Sequence, residues 1–152
     1  MIGFGSLAID RASLRFVALF ALGLACLGSV FEAAPTVVQQ LYMLPVSHLS
    51  TALLQAVTVD AILDTSHLGD GFCELAVSRI LYRITFDCTG IFAVLAFTSL
   101  TLAYPATWQH KASGLALGLP AIFAFSVLRI AVLGVVATIE PDWIEIFHVY
   151  VM

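Results

Sequence analysis

Apolar runs separated by short polar stretches set out this chain. The first run, roughly Ser13 to Phe31, follows Arg11 and Arg15. The second, roughly Thr89 to Tyr104, reads "TGIFAVLAFTSLTLAY". The third, roughly Ser113 to Thr138, reads "SGLALGLPAIFAFSVLRIAVLGVVAT". Crossing a hydrocarbon core takes about 20 residues, so the second is short unless Cys88 or Pro105 to Trp108 extend it. A partial fourth run, "WIEIFHVYVM", starts near Trp143 and reaches Met152 after ten residues, as a stub or a cut helix.

Two stretches between these runs have other periods. Pro35 to Val59 is apolar but carries three glutamines, two prolines, a histidine and several hydroxyls. Those polar groups are costly to desolvate in lipid. The segment reads as a helix lying along or dipping into the surface rather than as a full span. From Ile80 to Asp87, Ile80, Tyr82, Ile84 and Phe86 alternate with Leu81, Arg83, Thr85 and Asp87. That is the period of a strand, and "HLGDGF" before it is a turn. The pattern predicts an all-α integral membrane protein. It is a polytopic bundle of three to four helices in one domain, with a small helix and β element over about 32–88 outside the membrane.

Composition agrees. Hydrophobic residues make up 61% of the 152 positions and charged residues 11%, against about a quarter charged in soluble domains. The mean hydropathy is +1.05. A net charge of −4 excludes the basic face that a nucleic-acid partner requires. Arg11, Arg15 and Lys111 assign the N-terminus and the Pro105–Ala112 turn to the cytoplasm, and the segment from Glu32 to Asp87 to the outside. Small residues in "GLACLGS" permit signal cleavage or a lipobox-like use of Cys26. The length of the first apolar run favours a retained span.

Three side chains carry candidate chemistry. Cys88 sits where a strand gives way to a helix, in "TFDCTGIF". The free N–H groups of a helix's first turn favour a thiolate, the nucleophilic form. Asp87 or Thr89 is positioned to cap that helix, while the Asp87 carboxylate opposes a thiolate. Arg129 lies deep in the third run, where a guanidinium is costly and marks function by default; the plain alternative is snorkelling. His148 lies in the partial fourth run. Cys88 and Arg129 each stand 17 residues from the Pro105–Ala112 turn, about 25 Å along antiparallel helices. His148 descends about 9 Å from the outer turn. The three can therefore meet near the outer face. A thiol, an imidazole and a guanidinium together suit acyl transfer through a thioester.

On these residues the chain resembles the exosortase/archaeosortase family of membrane-embedded cysteine transpeptidases. "CTGIF" at Cys88, "LRI" around Arg129 and "FH" at His148 carry the resemblance, which extends loosely from about Leu49 onward. The resemblance implies cleavage of C-terminal sorting signals of exported proteins and transfer to an envelope acceptor. It implies a multi-pass cell-membrane enzyme with its site at the extracytoplasmic face. Its partners would be the sorting-signal segment, the bilayer and an acceptor nucleophile. It implies Cys88 as nucleophile, Arg129 as oxyanion or thiolate stabiliser and His148 as acid/base, with Thr89, Gly90 and Ser126 in support. Ser126 stands where the family often has asparagine. A hydroxyl there loses the amide's two-sided hydrogen bonding.

The residues leave two other readings open, a non-enzymatic assembly subunit and a thiol redox protein pairing Cys73 with Cys88. No cofactor or metal is called for. Three cysteines form no CxxC pair, and His48 and His67 lack ligand spacing. His110, Asp60, Asp64 and Asp70 read as solvated surface.

Overall fold

The computed structural model describes residues 10–78 and 80–139. Helix α1 (Arg11–Ala33) is followed by a helical segment with three parts: α2 (Pro35–Val38), a π-helical turn (Gln39–Met43) and α3 (Leu44–Ala56). A three-stranded sheet follows, formed by β1 (Ala61–Asp64), β2 (Phe72–Val77) and β3 (Ile80–Thr85). The chain then makes the single turn α4 (Phe86–Thr89), helix α5 (Ile91–Ala103) and helix α6 (Trp108–Ile139). The partial fourth run and His148 lie outside the described residues.

Two helices, α1 and α6, are long and apolar enough to cross a membrane among the described residues. The second apolar run does not reach that length. Helix α5 has 13 residues, about 20 Å by its rise, because Gly90 separates it from α4. Helix α6 starts at Trp108, before the expected Ser113, so the loop from α5 is shorter than Pro105–Ala112. Its first turn is held by Thr107 Oγ1 against His110 Nδ1 at 2.6 Å, and Lys111 Nζ donates to the Leu102 carbonyl at the end of α5. A cation there suits the helix's negative end. Arg15 and Lys111 line one cavity between α1 and the α5–α6 loop, so both cations share one end of the molecule.

Small residues set the helix contacts. Gly118 on α6 leaves room for the Phe97 ring, Gly23 on α1 faces Ser99 on α5, and Gly134 on α6 faces Leu54 on α3. Helix α3 runs against α6 and buries Val46, Ser47, Ser50, Thr51 and Leu54. Its hydroxyls are satisfied within the helix: Ser47 Oγ donates to the Met43 carbonyl and Thr51 Oγ1 to the Ser47 carbonyl. Ser50 Oγ reaches both Val46 of its own helix and Val127 of α6, at 2.8 and 3.2 Å. The buried hydroxyls of this segment are thus paired to backbone.

The β element is larger than the predicted strand. All three strands pair antiparallel in the order β1–β2–β3. β3 ends at Thr85, three residues before the cysteine. "HLGDGF" is a turn as expected, a 3-10 turn over Leu68–Asp70 closed by Gly71 at φ 92°. Register puts Cys73 opposite Ile84 and Leu75 opposite Tyr82 on the inner face. That face joins Met43, Val46, Leu54, Cys88 and Ile130 in one apolar core. On the outer face Glu74 pairs with Arg83 at 3.4 Å, and the Arg83 guanidinium lies over the Phe72 ring.

Candidate active site

Cys88 is the third residue of α4, a turn held between the end of β3 and Gly90. The thiol is nearly buried, at 8% exposure. Gly90 adopts φ 73°, a left-handed conformation that glycine tolerates without strain. It ends α4 after four residues and starts α5 on a new course. The expected activation by the first turn of a long helix therefore does not arise. Cys88 precedes the break, and neither Asp87 nor Thr89 caps a helix with its side chain. Thr89 is fully buried, and its hydroxyl donates to the Phe86 carbonyl at 2.8 Å, stapling the turn from within.

A side chain from another helix also reaches this turn. Arg129 reaches across from α6, and its Nη2 donates to the Cys88 carbonyl at 2.9 Å and the Asp87 carbonyl at 3.3 Å. A helix end leaves its last carbonyls without intrahelical donors, and one guanidinium nitrogen satisfies two of them. No carboxylate pairs with Arg129 among the described residues, where the ion pairs are His67–Asp70 and Arg83–Glu74. Its Nε is buried and without a partner. Among the described residues the positive charge near Cys88 is thus held by backbone dipoles and meets no carboxylate.

Ser126 lies one turn before Arg129 on the same helix and is buried. Its hydroxyl donates to the Ile122 carbonyl. A Cβ at Gly90 would stand 2.5 Å from Ser126 Oγ. Glycine and serine therefore meet at close range, which brings α4 down onto α6. Spacing along the helices led to the same meeting of Cys88 with Arg129. Of the other named residues, Thr89, Gly90 and Ser126 surround that contact, and His148 lies outside the described residues.

Two residues adjoin the site that sequence reading passed over. Thr85 Oγ1 lies 3.7 Å from Cys88 Sγ, within hydrogen-bonding range for sulfur. Its three-residue spacing from the cysteine, on a chain turning into a helix, is the signal that was present. Tyr42 comes from the π-helical turn, which packs against α4; no local pattern in "QQLYM" marks it.

The three cysteines are free. Burial pushes the Cys73 thiol up from its ordinary range, with Asp64 adding to the shift and a hydrogen bond with Ser47 opposing it. Cys73 faces the core beneath the sheet, in the same apolar cluster as Cys88.

A family model described as transmembrane exosortase matches residues 2–151. No curated protein and no solved structure matches the chain.

Proposed function

The chain belongs to the transmembrane exosortase family, and on that basis we propose that it is a membrane-embedded cysteine transpeptidase that processes C-terminal sorting signals of exported proteins. The observation that carries this reading is the contact of the Arg129 guanidinium with the backbone of Cys88. Cys88 Sγ attacks the scissile carbonyl and forms a thioester, releasing the C-terminal part of the signal as an amine. Arg129 stabilises the negative charge, first on sulfur and then on the carbonyl oxygen. A dry surrounding strengthens that effect. His148 gives a proton to the departing amine and then takes one from the acceptor.

The chain is a polytopic protein of the cell membrane in this reading. Arg15 and Lys111, which share one end of the molecule, face the cytoplasm. The sheet and Cys88 face the exported substrate on the other side.

Thiol labelling tests the reading without a known substrate. In intact cells, an impermeant maleimide is expected to label Cys88 from outside. Arg129→Ala and His148→Ala are each expected to slow that labelling by about tenfold or more, because the thiolate is the reactive form. A Cys88 that reacts no faster than Cys73, and is indifferent to both substitutions, sinks the proposal.

A further inference from the structure

Among the described residues, two buried side-chain polar atoms lack a hydrogen-bond partner, Arg129 Nε and the Tyr42 hydroxyl. A buried donor without a partner is costly, and unpaired groups of this kind gather where a ligand completes them. Both lie on the faces that enclose the Cys88 turn. Tyr42 sits in the π-helical turn Gln39–Met43, a rare geometry often found at functional sites. Its ring meets the Phe123 ring of α6 edge-on, with centroids 5.7 Å apart. Its hydroxyl faces Ser126, whose own proton goes to the Ile122 carbonyl, and no hydrogen bond of good geometry joins the two. Ser126 in turn abuts Gly90, two residues beyond the cysteine. The phenol oxygen therefore has no partner of good geometry among the described residues and lies on the Ser126–Gly90 side of the turn, while Arg129 occupies its carbonyl side.

We propose that the Tyr42 hydroxyl is an oxyanion donor of this enzyme, binding the carbonyl oxygen of the peptide that Cys88 attacks. The proposal rests on the transpeptidase reading above and adds a catalytic residue to it.

Two reagents separate this role from a structural one. With p-nitrophenyl acetate, Cys88 loses its proton to solvent and its sulfur bonds to the carbonyl carbon. The carbonyl electron pair moves to oxygen, then returns as p-nitrophenolate leaves with the ester bond's pair. With iodoacetamide, sulfur displaces iodide from a saturated carbon and no oxyanion forms. Both rates are read at the Cys88 peptide by mass spectrometry, on the full chain in detergent, for wild type and Tyr42→Phe.

Acylation is expected to fall about tenfold to a hundredfold in Tyr42→Phe, with alkylation and the melting temperature unchanged. Equal acylation in both proteins overturns the proposal and leaves the transpeptidase reading intact. A parallel fall in acylation and alkylation also overturns it, since Tyr42 then only shapes the site. A wild-type Cys88 inert to both reagents sinks the transpeptidase reading and the proposal with it.

Discussion

Arg129 Nη2 donates to the backbone carbonyl of Cys88 at 2.9 Å. The guanidinium of α6 thereby closes the C-terminal end of the turn that carries the thiol and sets its charge beside the sulfur's own residue. Two consequences separate by substitution. Arg129→Lys keeps a positive charge but loses the longer, planar guanidinium whose Nη2 reaches two carbonyls. Arg129→Ala loses both. A hydrogen bond to a charged group contributes about 1.5–3 kcal/mol, and partial exposure of Arg129 places this pair toward the lower end. Both variants are expected to melt earlier in detergent. Maleimide labelling of Cys88 should fall in the order wild type, lysine, alanine. Equal labelling in the lysine and alanine variants would show that charge plays no part.

Gly90 combines a left-handed backbone with a close neighbour. Its φ is 73°, and an added Cβ would meet Ser126 Oγ at 2.5 Å. A non-glycine residue in that conformation costs about 1–2 kcal/mol, and the serine must also rotate away from Ile122. Gly90→Ala is expected to lose about 2–3 kcal/mol of stability. Adding Ser126→Gly removes the collision but not the backbone strain, so the double variant should recover only part of the loss. A double-mutant cycle on unfolding midpoints measures the coupling. Strict additivity would mean that the two residues do not touch in solution.

Cys73 gives a pH dependence with a definite sign. It is fully buried in β2, and desolvation raises its pKa above the unfolded value. The folded state therefore holds the proton longer than the unfolded state does. Its contribution to stability is present below the unfolded thiol's value and is lost as pH rises toward and through the folded value. Wild type should lose stability on the alkaline side more steeply than Cys73→Val, which cannot ionise. Unfolding midpoints from neutral to alkaline pH make the comparison. Identical slopes would place the thiol in water. For the same reason, Cys73 should stay unlabelled by maleimide at neutral pH until the chain unfolds.

The parts of the site set by helix length were legible in the sequence, and the parts set by chain reversal were not. Cys88 and Arg129 could be brought level because each lies an equal count of residues from the same turn, and a helix converts count into height. With α5 ending at Ala103 and α6 starting at Trp108 the counts become 15 and 21 residues, so count alone does not set the height, and the meeting is made by the Arg129 side chain reaching α4. Gly90 defeated the helix reading, because "CTGIF" runs straight into an apolar helix and shows no sign of a left-handed break. β2 was missed because its outer face carries Phe72 and Ala76 beside Glu74, which erases the alternation that made β3 visible. The segment from Pro35 looked superficial because a sequence shows polar atoms but not their partners. Ser47, Ser50 and Thr51 bond back to their own helix and can be buried.

Thr85 offers the last test, on the sulfur itself. Its hydroxyl lies 3.7 Å from Cys88 Sγ, at the end of β3 where the strand hands over to α4. Either atom can donate while the sulfur is a thiol. Once the thiol ionises only the hydroxyl can, and a hydrogen bond to a charged acceptor is the stronger kind. Thr85 should therefore favour the thiolate without touching the substrate. Thr85→Val keeps the shape and the β-branching that suits the strand, so the fold should persist. Cys88 alkylation is expected to slow by about three- to tenfold, equivalent to about 1 kcal/mol. Thr85→Ser returns a hydroxyl at the same atom and should restore most of the rate. If valine and serine behave alike, the contact is packing and plays no part in the sulfur's reactivity.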